Sequence, residues 1–172
     1  MNTIVIYFYN LVRRIFPETS FFGIKNAILR LAGAKIGQNV RICSSVKILG
    51  NGKLIIGNNT WLGIESLIVV ANDNKNPVTI VKIGSNVDIA PRTYIGTGTH
   101  VVDTSTPNIA GEGITKNIII GDGCWICANA VILPGIEIQE KSIIAASSLV
   151  NKDVPANSLY AGIPAKFVKF LK

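Results

Sequence analysis

Residues 120–155 read IGDGCW, ICANAV, ILPGIE, IQEKSI, IAASSL, VNKDVP, and cut into sixes every piece begins with Ile or Val. The second place of each six is mostly small or polar, and the fifth is mostly small. Repetition at a fixed period is the signature of a stacked architecture. A period of six is neither the 3.6 of a helix nor the two of a simple strand. It suits a short strand followed by a tight corner, laid turn upon turn. The recurring Ile fills the interior, and the small second and fifth places let the chain bend. Three sixes close one triangular coil, so this stretch predicts two coils.

Working outward, the same pattern begins at Ile36 with IGQNVR, ICSSVK, ILGNGK, after which Leu54 and Ile55 stand as two extra residues at a corner. A second coil runs from Ile56 to Asp73 (IGNNTW, LGIESL, IVVAND) and a third from Ile83 to His100 (IGSNVD, IAPRTY, IGTGTH). Between them lies an excursion, 74–82, marked as a loop by Asn-Pro and a polar run. A longer excursion, 101–119, is filled in its middle with Gly, Pro, Thr and Ser. The reading is five coils over 36–155, interrupted twice, and loops of such length in a compact domain tend to be functional. Residues 1–35 lack the period. Ile4, Phe8, Leu11, Val12 and Ile15 sit at helical spacing, so a helix is expected up to Phe16, ended by Pro17. Ser20 is the expected cap of a second helix, with Ile24, Ala27, Ile28 and Leu31 on one face and Gly33 as its stop. This segment is expected to cover the open first coil, whose strand edges and apolar interior need protection. Residues 156–172 form a short tail.

The bulk properties narrow the function. At 172 residues, 48% apolar and 16% charged, the chain suits one globular domain. The net charge of +7 admits nucleic acid, anionic lipid or a phosphorylated ligand. No run of Lys or Arg exceeds the pair Arg13–Arg14, and no basic–aromatic interleaving of the RNA-binding kind occurs, which disfavours nucleic acid and favours a polyphosphate-bearing cofactor. Three cysteines, an odd number, argue against a secreted disulfide framework and for a reducing cytoplasm. Cys124 and Cys127 form C-W-I-C, but no second pair or nearby His completes a metal site, and both fall at small places of the repeat, as does Cys43. No metal is expected. The run Ile4–Val12 is too short to span a bilayer and lacks the flanks of a signal peptide. An amphipathic helix packed on the body is the first reading. Its aromatics followed by Arg13 and Arg14 would also suit a membrane surface, giving residues 1–16 as a candidate for peripheral contact at the inner face.

Four features together carry a resemblance over roughly residues 24–172. They are the sixes themselves; IAPRTYIGTGTH, a coil ending in His just before a loop; IGDGCWICANAVILPGIEI; and the closing SLVNKDVPANSLYAGIPAKFVK. The chain resembles the hexapeptide-repeat acyltransferases. It is most similar in pattern to the maltose and galactoside O-acetyltransferases and to the O-acetyltransferases of bacterial polysaccharide assembly. The resemblance implies a mainly β fold, a left-handed parallel β-helix of about five coils with an N-terminal helical segment and a short C-terminal tail. It also implies acetyl-CoA as acyl donor, a saccharide acceptor, and a homotrimer with active sites between subunits. The left hand comes from the resemblance alone, since parallel crossovers are usually right-handed.

His100 is the single histidine. Acyl transfer to a hydroxyl needs a base, and imidazole titrates where it can take the proton and later release it. In the family the matching His does this. Asp73, Glu137 and Asp103 are weighed as groups that could orient it, alongside a backbone carbonyl. By motif matching, Ala128, Ala146, Asn151 and Lys152 fall where the family contacts coenzyme A, and Lys166 and Lys169 where it places cations near the phosphates. Trp125 and Asp103 are acceptor-side candidates. So is Glu65, because the Asn that sugar acetyltransferases usually carry in the preceding coil is matched here by Gly63, two residues before it. Transfer to an amino group of a nucleotide sugar is the alternative on the same frame. A carbonic anhydrase would need several His ligands. A non-enzymatic solenoid would need neither the His-bearing loop nor the closing signature.

Overall fold

The structure, a computed structural model describing residues 1–171, is a left-handed parallel β-helix of five coils with three flat faces. The first face stacks Lys35–Ile36, Lys53–Ile56, Ile80–Ile83, Ile118–Ile120 and Glu137–Ile138. The second stacks Arg41–Ile42, Trp61–Leu62, Asp88–Ile89, Trp125–Ile126, Ile143–Ile144 and, as a sixth strand, Ser158–Gly162. The third stacks Lys47–Leu49, Leu67–Val69, Tyr94–Gly96, Val131–Ile132 and Leu149–Val150. The residue that opens each six is buried throughout, from Ile36, Ile42 and Ile48 through Ile89 and Ile126 to Ile144 and Val150. Each such burial contributes about 1.5–3 kcal/mol, so the period of the sequence is the period of the core.

The corners follow from two further places in the six. The second place is glycine on one edge, and there is no room for anything larger: a Cβ on Gly57 would lie 2.5 Å from the Gly84 carbonyl carbon, and one on Gly84 would lie 2.8 Å from the Asp122 amide nitrogen. The fourth place turns the chain through left-handed backbone. Asn39, Asn59, Asn86 and Asn129 all have φ between 53° and 59°, and Gly123 and Gly135 occupy the same place. Asn and Gly tolerate this region best. The first three asparagines also form a side-chain ladder, Asn39 Nδ2 to Asn59 Oδ1 at 3.2 Å and Asn59 Nδ2 to Asn86 Oδ1 at 3.3 Å.

Several boundaries differ from the sequence reading. Leu54 and Ile55 are not corner residues; they lie in the four-residue strand Lys53–Ile56, where Leu54 is buried. The first excursion ends at residue 79, because Ile80 to Lys82 already belong to the next strand. The second is not an irregular loop but an antiparallel hairpin, Gly98–Val102 against Ala110–Thr115, with Ile118 and Ile119 back in the coil. The tail also is ordered: Ser158–Gly162 joins the second face, and Ala165–Phe170 returns antiparallel along it and closes that edge.

The helical cap departs most from expectation. Helix α1 spans Thr3–Val12 and continues as one 3-10 turn to Ile15; α2 spans Phe22–Leu31. Ser20 does not cap α2; its hydroxyl bonds the Pro17 carbonyl, and the cap position is Phe21 in left-handed backbone. The apolar stripe that the spacing assigns to packing points outward: Ile4 and Ile15 are each 77% exposed, and Phe8, Leu11, Ile24 and Leu31 are exposed as well. The helices instead bury Arg13, Lys25 and Asn26, with Ile6, Tyr9 and Leu29. The reason is the edge they cover. The first coil has no strand before it, so its backbone groups need partners. Arg30 donates to the Ile36 carbonyl at 3.0 Å, Asn26 Nδ2 to Val40 at 2.8 Å, Arg13 Nη1 to Ser44 at 2.6 Å and Asn10 Nδ2 to Ile48 at 2.6 Å. Lys25 Nζ donates to Ser44 Oγ at 2.8 Å, and burial lowers the pKa of this lysine. A cap built to satisfy carbonyls must turn its polar side inward, which leaves its apolar side out.

This arrangement inverts the usual effect of mutation. Arg13→Ala leaves the Ser44 carbonyl without its guanidinium partner and should cost about 1–3 kcal/mol, whereas Phe8→Ala should change stability by less than about 0.5 kcal/mol. Chemical denaturation of the two variants measures this, and a larger loss for Phe8→Ala would refute the inward-polar cap.

Candidate active site

His100 sits on the first strand of the hairpin, which leaves the solenoid at the corner between the third and first faces. The ring is exposed, and its Nδ1 lies 2.8 Å from the Gly111 carbonyl on the opposite strand. A carbonyl only accepts, so Nδ1 carries the proton and the neutral ring keeps its lone pair on Nε2. The group that orients the imidazole is thus a backbone carbonyl and none of the three carboxylates weighed from sequence. Gly111 is required at that point: a Cβ there would meet Asp103 Cβ at 2.8 Å and the Val101 carbonyl oxygen at 3.1 Å. Asp103 is engaged in the hairpin turn, where its Oδ1 accepts from the Ser105 amide at 2.8 Å and the Ser105 hydroxyl at 2.6 Å. These bonds hold its carboxyl below the usual carboxylate range.

The foot of the hairpin is clamped by the first excursion. Asp73 uses both carboxylate oxygens. Oδ1 accepts from the amides of Lys75 and Asn76 at 2.7 and 2.6 Å, which folds the excursion back; Oδ2 accepts from the Thr115 amide and, at 2.9 Å, the Thr115 hydroxyl. Thr79 Oγ1 meets Thr115 Oγ1 at 2.6 Å. Just before the first hairpin strand, buried Thr97 accepts from the Ala71 amide at 2.9 Å, and its carbonyl accepts from the Lys116 amide at 2.9 Å. The exposed pair Lys75–Glu112 joins the two excursions farther out and contributes little by itself. The Asn76 amide above all, with the Thr115 hydroxyl, depresses the pKa of Asp73.

The remaining residues marked from sequence divide between two corners. Asn151 and Lys152 lie at the corner of the hairpin, two coils farther along. Ala128 and Ala146 lie at the corner between the second and third faces, on successive coils joined by the Ser147 amide and the Ala128 carbonyl at 2.8 Å. Lys166 faces Ala161 at the end of that second column, where the Gly162 amide bonds Ser148 Oγ at 3.1 Å; Lys169 faces Leu159 on the same return strand. Glu65 belongs to the same column, bonded to Arg92 at 2.6 Å, both in left-handed backbone. Trp125 is exposed on the second face between Asp88 and Ile143. One chain therefore does not bring Ala128, Ala146 or Glu65 to His100. The third face lies between the two columns, and its outward row runs from the exposed Lys47 through Leu67, Tyr94, Val131 and Leu149, the last four half-buried and largely apolar. Burial raises the pKa of all three cysteine thiols, and Cys124 Sγ donates to the Gln139 carbonyl at 3.1 Å, in keeping with packing. Sequence reasoning missed Gly111, Thr115 and the clamping role of Asp73. The Asp73–Thr115 contact spans 42 residues, and no local spacing reports it.

If Asp73 anchors the hairpin, Asp73→Ala should raise amide hydrogen exchange across 98–115 while leaving the coils protected. The pH dependence has a definite sign. A folded-state pKa below the ordinary aspartate value of about 3.9 means that the anchor is in place at neutral pH and is lost only as pH falls through the depressed value. Hairpin protection in the parent should therefore persist through mildly acidic pH, and its loss there would count against the clamp.

Known proteins share this pattern. The family described as "Bacterial transferase hexapeptide (six repeats)" matches residues 117–152. The "Putative colanic acid biosynthesis acetyltransferase WcaF" of Escherichia coli is 35% identical over 147 residues, spanning 83% of this chain and 72% of its own length. The galactoside O-acetyltransferase of the same organism is 30% identical over 145 residues, spanning 84% and 68%. Among solved structures, the hexapeptide-repeat acetyltransferase VCA0836 of Vibrio cholerae, complexed with acetyl coenzyme A, superposes with a TM-score of 0.79 at 27% identity, covering 99% of this chain and 87% of that one. On the repeat, the coil architecture and this degree of identity, the chain belongs to the hexapeptide-repeat acyltransferase family.

Proposed function

We propose that the protein is an acetyl-CoA-dependent O-acetyltransferase acting on a hydroxyl of a sugar or saccharide precursor, with His100 as general base. The observation that carries this is the Gly111 carbonyl on Nδ1, which leaves Nε2 free to accept a proton. In a ternary complex, Nε2 takes the proton of the acceptor hydroxyl as its oxygen attacks the thioester carbonyl. Collapse of the tetrahedral intermediate expels the coenzyme A thiolate, and the imidazolium returns the proton to that sulfur. The names of the relatives, a galactoside O-acetyltransferase and a putative colanic acid biosynthesis acetyltransferase, support the acceptor class.

Donor binding rests on the two corner columns. Ala128 and Ala146 make a strip of small side chains along which the amide-bearing pantetheine arm can approach backbone, and Lys166 at its end, with Lys169 farther along the same return strand, supplies point charges for phosphates. Asn151 and Lys152 serve from the corner of His100. Because the third face separates these columns within one chain, we assign the site to a cleft between subunits of a homotrimer. The apolar outer side of that face supports its role as the contact. We place the enzyme in the cytoplasm, with residues 1–16 at the inner face of the membrane. No helix among the described residues is long and apolar enough to cross it.

Thiol release from acetyl-CoA with a panel of sugars, nucleotide sugars and amino sugars tests the reaction. His100→Ala should lower kcat by at least about a hundredfold with the KM for acetyl-CoA little changed; a variant as fast as the parent would remove the base assignment, and turnover confined to amino sugars would move the reaction to N-acetylation. Lys166→Ala should raise the KM for acetyl-CoA and spare kcat. A monomeric mass in solution would dismantle the shared cleft.

A further inference from the structure

The cap presents an apolar stripe that none of the described residues covers. Ile4, Tyr7, Phe8 and Leu11 on α1 and Ile15 on the turn that follows are all exposed, and their spacing places them along one line of the helix surface. Ile24 and Leu31 are exposed on the neighbouring α2. Isolated exposed apolar residues need no explanation, but a contiguous row of large ones marks an interaction surface.

Charge says what the surface meets. Residues 1–64, the cap with the first coil and the start of the second, hold eight of the 17 basic residues and one of the 10 acidic ones; residues 65–172 hold nine of each. The whole excess of +7 thus lies at the end of the solenoid that carries the apolar stripe. The single acidic residue there, Glu18, is occupied by the Ser45 amide at 3.0 Å and hydroxyl at 2.9 Å. Arg14, Arg30, Lys35, Arg41 and Lys47 are exposed. Beside α1, a groove of about 420 Å³ has Tyr7, Leu11 and Leu49 as apolar lining and Arg14 and Lys47 as cations in the same wall. An amphipathic helix with aromatic and aliphatic residues on one side and basic residues beside them lies flat in an anionic interface.

We propose that this end of the protein docks on an anionic phospholipid surface. The stripe Ile4, Tyr7, Phe8, Leu11 and Ile15 enters the acyl boundary, while Arg14 and Lys47 take a lipid phosphate at the groove. The proposal rests on the membrane placement of residues 1–16 and adds the face, the lipid chemistry and the groove. It is independent of the acetyl-transfer reaction.

The test is co-sedimentation of the full chain with vesicles of phosphatidylcholine alone and of phosphatidylcholine with phosphatidylglycerol, at low and high salt. The parent should sediment with the anionic vesicles only and should be released by salt. The combined change Ile4→Ser, Phe8→Ser, Ile15→Ser should weaken binding by about tenfold or more, and Arg14→Glu, which lies off the third face, by about fivefold. Melting, mass in solution and acetyl transfer to a soluble acceptor should be unchanged in both variants. No binding to anionic vesicles, or equal binding to neutral ones, overturns the proposal. So does a change of oligomeric state in the stripe variant, which would make a second copy the occupant. Binding that survives the charge reversal but not the stripe changes would leave residues 1–16 at a membrane and overturn the anionic groove. Loss of acetyl transfer in the parent would fall on the enzymatic reading alone.

Discussion

The ladder of backbone hydrogen bonds from coil to coil is the interaction on which the molecule depends. At one corner the amides of Gly37, Gly57, Gly84 and Gly121 donate in turn to the carbonyls of Ile56, Ile83, Ile120 and Ile138, at 2.7 to 2.9 Å. Each coil satisfies its neighbour, and the apolar column inside is a consequence of that stacking. A ladder of this kind has two ends, and each end has its own solution. At the C-terminal end the strand Ala165–Phe170 runs back antiparallel and closes the second face. At the N-terminal end arginine and asparagine side chains of the helical cap reach the open carbonyls. The outward apolar row on those helices is a direct result of how that end was closed.

The fold was legible because it is periodic. A residue such as Ile126 says little alone, yet its recurrence every six positions fixes which residues are interior, and the structure buries the opening residue of every six. The αL turns could also have been read, since Asn or Gly recurs at the fourth place in IGQN, IGNN, IGSN and IGDG. What failed was the aperiodic part. The helical spacing of Ile4, Phe8, Leu11 and Ile15 did report a helix, but amphipathicity alone does not say which side faces the body. That depended on an edge of unpaired carbonyls that only the assembled coil presents.

The candidate site divides in the same way. His100 stood out as the single histidine placed at the end of a coil, and Ala128 and Ala146 came from matching the family's motif. The hydrogen bonds that give His100 its direction were beyond reach. Gly111 is one of two glycines in a stretch outside the repeat, and the contact between Asp73, at the end of the second coil, and Thr115 in the second excursion is one that the repeat does not govern. Regular sequence specifies regular structure by repetition, whereas loops are specified by particular pairs, and pairs are invisible without the fold.

The hairpin holds the His100–Gly111 bond within itself, so the orientation of the imidazole travels with the hairpin as a unit. Its attachment to the rest is concentrated at its foot, at Thr97, Thr115 and Asp73, with the exposed Lys75–Glu112 pair farther out. The tip, 104–109, is free of that duty. During divergence, substitutions and length changes at the tip can accumulate without disturbing either the core or the aim of the ring. A lineage can thereby vary the tip while inheriting the orientation of the imidazole intact.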